Sequence, residues 1–132
     1  LARRRDLLIT IPGIGKTTSA VLVGLVNELG NLSNRSIAAL AGLAPMNFDS
    51  GRHSGKRRIQ KGRHDVRRLL YMPCVGAATQ HNAPIKDFYQ RLIKSGKPPK
   101  TALTACMRKL LIFANATLKQ GTPWQIHTVG HA

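Results

Sequence analysis

The sequence predicts a single mainly α domain: a compact helical body with a helix-hairpin-helix-like element near its start and a basic loop or small β-hairpin over about residues 46–64. Three observations lead there. The 132 residues are 42% apolar and only 20% charged, and a chain of this length buries roughly two thirds of its unfolded surface, so a real core is expected. Apolar residues recur at three- and four-residue spacings through most of the chain, which is the helical period. Glycine and proline punctuate that pattern at short intervals and divide it into separate helices.

Leu7, Leu8 and Ile11 form an apolar patch that stops at Pro12-Gly13-Ile14-Gly15, and Ala20, Val21, Val23, Leu25 and Leu29 resume it up to Gly30. The order is helix, tight turn, helix. Ser33 is the N-cap expected for a short helix carrying Ile37, Leu40 and Ala41, ended by Gly42. The polar stretch from 46 to 64 reads as loop or ragged hairpin. Asp65 is the cap expected for a helix holding Val66, Leu69, Leu70, Met72, Val75 and Ala78, with Pro73 either kinking it or breaking it. Pro84 suits the first turn of a helix with Ile85, Phe88, Tyr89 and Leu92, closed at Ser95-Gly96. Pro98-Pro99 separate it from the longest helix, about residues 101–119, with Leu103, Cys106, Met107, Leu110, Leu111 and Phe113. Residues 1–122 form the domain and 123–132 a loose tail, except where Trp124 docks.

The charge balance selects the partner. There are 21 Lys and Arg against 5 Asp and Glu, a net charge of +16 and a pI near 11.4. An excess of this size on a folded body points to a polyanion, nucleic acid before anionic membrane. The carboxylates are Asp6, Glu28, Asp49, Asp65 and Asp87, no two closer than sixteen residues, so a self-contained two-metal nuclease or polymerase site is not expected. Cys74 and Cys106 form no CxxC pair and read as buried, reduced thiols of the cytosol. No apolar run reaches the roughly 18 residues of a membrane span, and no membrane partner is expected. The chain opens on Leu1 rather than Met, which suggests a piece of something longer.

The turn Ile11-Pro12-Gly13-Ile14-Gly15-Lys16 has the hydrophobic-Pro-Gly-hydrophobic-Gly form of the helix-hairpin-helix element. Glycines at 13 and 15 let main-chain N–H groups approach a phosphate, the next helix presents its N-terminus, and Lys16 adds charge. Such a contact reads no bases. The competing use is an αα-hairpin that needs glycine only to turn. Gly15-Lys16-Thr17 also imitates a nucleotide-binding P-loop, but the full pattern needs glycine where Thr10 stands, and a mainly helical chain cannot form the parallel sheet such enzymes use.

Between Gly51 and Arg68 lie Arg52, Lys56, Arg57, Arg58, Lys61, Arg63, Arg67 and Arg68, eight of the 21 basic residues in eighteen positions. Such density repels itself unless an anion is bound, which makes this the expected electrostatic footprint on DNA. A solvated basic loop is the bland alternative. The segment has no aromatic residue, so stacking on single-stranded bases is not its expected mode. At its edge stands Ser50-Gly51, a hydroxyl nucleophile beside cations able to stabilise phosphate charge in a transition state. Ser54-Gly55 repeats the dipeptide, and His53 or His64 can serve as base or phosphate contact.

Several motifs in order resemble one family. They are Ile11 to Gly15, Ser36 to Pro45, Ser50-Gly51 followed by Arg57 to Gly62, Val66 to Met72, Asn82-Ala83-Pro84, Phe88-Tyr89 and Gly96-Lys97-Pro98. Together they look like the C-terminal domain of the IS-one-ten and Piv-invertase insertion-sequence transposases, over about residues 5–122. The resemblance implies an N-terminal resolvase-like domain, absent from this sequence, whose acidic tetrad binds magnesium; no cofactor is expected in this chain itself. It also implies a serine that becomes covalently joined to DNA. The motif that carries it, Ser-Gly about nine residues before Ile-x-Lys-x-Gly, falls on Ser50 with Ile59 beyond it. Where the family reads Ile-x-Lys-Arg-Gly, this chain has Ile59-Gln60-Lys61-Gly62. Further expectations are double-stranded DNA and a guide RNA as partners, a homo-oligomer at full length, and a prokaryotic, nucleoid-associated cytoplasmic location. The competing class is a non-catalytic helix-hairpin-helix module in which Ser50 does no chemistry.

Overall fold

The computed structural model describes residues 2–40 and 64–125. Over these it is mainly α, as the sequence predicts: α1 (Ala2–Ile9), α2 (Lys16–Leu25), α3 (Asn34–Leu40), α4 (His64–Gly76), a π-helical turn (Ala77–His81), α5 (Ala83–Lys94) and α6 (Pro99–Gln120). The loop or hairpin expected over 46–64 lies, but for His64, outside the described residues.

The core is organised around α6. Ala102, Cys106, Met107, Leu110, Leu111, Phe113 and Ala114 are buried on several faces of that helix, and α1, α3, α4 and α5 all pack against it. A helix apolar on more than one stripe belongs at the centre of a bundle. Leu8 of α1, Ile11 just beyond it, Leu22 of α2, Ile37 of α3, Val66 and Leu70 of α4 and Ile85 of α5 complete the same core, each almost fully buried. Each such side chain stabilises the fold by about 1.5–3 kcal/mol relative to exposure.

Two buried asparagines hold the connections. Asn115 of α6, fully buried, accepts from the Gly30 N–H at 2.6 Å and donates to Leu32 O at 2.9 Å and to Asn34 Oδ1 at 3.2 Å. One amide thereby clamps the whole loop between α2 and α3. Gly30 is required there, because its φ is +92° and a Cβ would meet Leu118 Cβ at 2.9 Å. Asn82, also fully buried, caps α5 by accepting from the Ile85 N–H at 3.3 Å and donates to Pro12 O at 3.1 Å.

Most local expectations hold. Ser33 Oγ accepts from the Ser36 N–H at 3.1 Å and caps α3, Pro84 sits in the first turn of α5, and α5 closes at Ser95 with Gly96 at φ +98°. Gly121 ends α6 in the left-handed conformation, φ +73°. Trp124 docks: its main-chain N–H donates to Thr10 Oγ1 at 2.9 Å and its ring lies 5.8 Å from that of Phe113, centroid to centroid. Other expectations shift. Pro99 is taken into the first turn of α6 rather than standing before it, since the missing N–H is one the first turn leaves free. Helix α4 begins at His64, so Asp65 stands inside its first turn. The chain stays helical through Pro73 and then widens into the π turn, where the Asn82 N–H reaches back five residues to Ala77 O at 3.2 Å. Met72, expected in the apolar face, is 69% exposed, because Val66, Leu70 and Cys74 set the buried stripe and place it on the other side.

Cys74 and Cys106 are both buried and unbridged. The Cys74 thiol donates to Leu103 O at 3.6 Å, and hydrogen bonding to Cys106, with burial, pushes it above the ordinary thiol range.

Candidate functional site

The glycine turn joins α1 to α2 by a short ladder: the Ile14 N–H donates to Ile11 O and the Ser19 N–H to Gly15 O, each at 3.0 Å. Ile11 and Ile14 are buried beneath it, while Gly15, Lys16 and Thr17 face outward. The two glycines do different work. Gly13 has φ +108°, and a Cβ there would lie 2.9 Å from Ala77 Cβ and 3.4 Å from Pro73 O. Its bare Cα lets the turn seat on the end of α4. Gly15 has φ −100°, and a Cβ there would meet nothing within 4 Å. Gly15 is the N-cap of α2 with no side chain satisfying the first turn, and no acidic residue stands in that turn. The first turn of α2 thus has no side-chain cap, and it starts at two exposed residues, Gly15 and Lys16, an arrangement suited to a phosphate oxygen.

Arg67 and Arg68 stand on the outward face of α4, where they continue the basic segment that precedes the helix. Tyr71, 46% exposed, and Met72 follow one turn later on the same face. Neither is expected from the sequence as a surface contact, Met72 being expected in the apolar face; the signal available was their position three and four residues after Arg68, opposite Val66 and Leu70. Pro73 near the end of α4 and Ala77 at the start of the π-helical turn receive the glycine turn, and Arg68 lies nine residues before Ala77, about 14 Å along the helix. The turn and the arginine pair are thus set at the two ends of one rigid element. Ser50, Arg52, Lys56, Arg57, Arg58, Lys61 and Arg63 lie outside the described residues, as do His53 and Ser54.

Some of the basic excess is structural. Arg4 donates to Leu29 O and Arg3 to Gly121 O, each at 3.0 Å, so both tie α1 to the ends of other segments. Among the described residues no three His, Cys, Asp or Glu side chains come together as ligands for a metal ion, and no helix is long and apolar enough to cross a membrane.

A family model described as "Transposase IS116/IS110/IS902 family" matches residues 5–90. The chain is 34% identical over 124 residues to the "Pilin gene-inverting protein" of Moraxella lacunata, covering 92% of this chain and 38% of that protein. To the protein of the same name in Moraxella bovis it is 34% identical over 127 residues, covering 94% of this chain and 39% of that one. To the "Insertion element IS116 uncharacterized 44.8 kDa protein" of Streptomyces clavuligerus it is 31% identical over 108 residues, covering 80% and 27% respectively. The chain thus spans under two fifths of the length of these relatives. The glycine turn, the basic segment and the outward face of α4 all fall inside the matched residues, and the chain belongs to the Transposase IS116/IS110/IS902 family.

Proposed function

We propose that the chain is the DNA-binding domain of a transposase or site-specific recombinase and that it supplies Ser50 as nucleophile for strand exchange. The observation that carries the DNA contact is the uncapped, unobstructed start of α2 at Gly15 and Lys16, in the manner of a helix-hairpin-helix. Double-stranded DNA is held there by its backbone, with Arg67 and Arg68 and the cations Arg52, Lys56, Arg57, Arg58, Lys61 and Arg63 adding phosphate contacts. Gly13 supports this indirectly, by seating the turn on α4.

In the proposed chemistry the Ser50 oxygen attacks a phosphodiester. A serine–phosphate ester forms as the bond to the departing deoxyribose oxygen breaks; a neighbouring base takes the serine proton and the departing oxygen gains one. The arginines of the 57–58 pair stabilise the charge on the non-bridging oxygens. The names of the Moraxella relatives, which describe inversion of a gene, support a DNA rearrangement as the outcome. The described residues do not fit a magnesium site, so magnesium, which the family resemblance assigns to a separate carboxylate-bearing domain, enters no step derived for this chain. A guide RNA, a homo-oligomer, a domain spanning 1–122 and a nucleoid-associated cytoplasmic location belong to the same proposal.

The test is binding of the purified chain to duplexes of unrelated sequence across a salt series. Similar affinities for all of them, falling steeply with salt, are expected; an affinity indifferent to salt overturns the reading.

A further inference from the structure

Residues 86–109 hold seven Lys and Arg against one acid, Asp87, and none of them belongs to the turn or to the 51–68 segment. They lie on the hairpin formed by α5 and α6. At its side, half-buried Phe88 holds two cations: the Lys109 ammonium is 4.6 Å from the ring centroid and the Arg91 guanidinium 5.7 Å. At its tip, Lys94, Lys97 and Lys100 are exposed around the Ser95–Gly96 turn.

Helix electrostatics account for only part of this. Arg91 and Lys94 stand in the last turn of α5, where the dipole favours cations. Lys100 stands in the first turn of α6, where the dipole disfavours them, and that turn has no acidic residue and no side-chain cap. The end of α6 is thus left electropositive twice over, by its own N–H groups and by Lys100, with Lys97 beside it. An arrangement that raises local repulsion without a protein counter-charge suits an anion from outside.

We propose that this hairpin tip is a second binding site for the sugar–phosphate backbone of duplex DNA, separate from the turn at Gly15. The inference rests on the DNA-binding reading above and adds residues to it. The two sites are spaced by α5: Asn82, bonded to Pro12 O, stands at one end and Lys94 at the other, twelve residues or about 18 Å apart. Phosphate rather than base is the target, because the three tip residues are lysines and the Phe88 ring beside them already carries two cations. Lys109 and Arg91, ordered in advance on that ring, lose less freedom on meeting a phosphate than loose side chains do.

The experiment measures affinity for one random-sequence duplex against salt, for the unaltered chain and three triple variants. Lys94→Gln/Lys97→Gln/Lys100→Gln removes the tip, Lys16→Gln/Arg67→Gln/Arg68→Gln removes three cations of the first site, and Arg5→Gln/Arg35→Gln/Lys119→Gln removes the same charge from other exposed positions. All nine residues lie on the surface or at its edge, and unchanged melting temperatures confirm the folds. The tip variant is expected to flatten the salt slope by about 2–3, near one for each lost phosphate contact, and the control variant by less than about one. A tip variant no different from the control overturns this inference alone, if the first-site variant still loses its slope. A salt-indifferent unaltered chain overturns the DNA-binding reading and this inference with it.

Discussion

Asn82 and Pro12, seventy residues apart, are joined by one buried hydrogen bond: Asn82 Nδ2 donates to Pro12 O at 3.1 Å. The other end of the same amide accepts from the Ile85 N–H at 3.3 Å. The start of α5 and the proposed DNA-contacting turn are therefore positioned by one side chain, whose two atoms must both point the way they do.

Asn82→Ala is expected to cost about 2–3 kcal/mol, combining a lost N-cap of about 1 kcal/mol with a carbonyl left short of its partner. Asn82→Asp keeps the cap and loses the donation, and is expected to fall between. Chemical denaturation of the two variants checks the order; equal stabilities would mean the Pro12 bond contributes nothing.

The two glycines of the turn should separate stability from binding. Gly13→Ala forces a Cβ to 2.9 Å from Ala77 Cβ at φ +108° and is expected to destabilise by about 2 kcal/mol. Gly15→Ala meets no atom and should leave the melting temperature nearly unchanged, yet weaken duplex binding, because its Cβ stands where a phosphate approaches. A Gly15→Ala chain that binds as before would make the turn a plain αα-hairpin.

Asn115→Ala removes three hydrogen bonds from a fully buried position and leaves the Gly30 N–H without its acceptor. A loss of about 3–4 kcal/mol is expected, with amide hydrogen exchange rising first at residues 30–34. Uniform exchange across the chain would show that the clamp is not local.

Cys74 and Cys106 should both resist a thiol reagent in the folded chain and react together after denaturation, since neither is exposed and burial with mutual hydrogen bonding keeps Cys74 protonated. Counting labelled thiols with and without denaturant tests this; one fast thiol in native buffer would reveal local opening of α4 from α6.

Ser50→Ala, in a protein carrying this chain together with the proposed carboxylate-bearing domain, should abolish the covalent protein–DNA adduct and strand exchange while leaving DNA affinity nearly unchanged. One neutral hydroxyl contributes little beside eight cations. A suicide substrate with peptide mapping is the measurement, and an adduct on Ser54 or an active Ser50→Ala protein reassigns the role.

What the sequence determined by itself is what depends on neighbours along the chain. Helical spacing located six helices, Ser33 and Pro84 marked helix starts, Ser95-Gly96 marked a stop, and the net charge of +16 pointed to a polyanion. Tertiary structure decided which of these local features meet. Both glycines of the turn look alike in sequence, and only the approach of Ala77 makes Gly13 a packing residue and leaves Gly15 open. Met72 has the composition of a core residue, but the stripe set by Val66, Leu70 and Cys74 turns it outward. Asn82 and Asn115 carry no local signal for their partners, because a side-chain amide bonds whatever backbone the fold brings to it. Periodicity and capping are short-range effects, whereas close approach and buried polar pairing exist only once segments seventy or more residues apart in the chain have packed together.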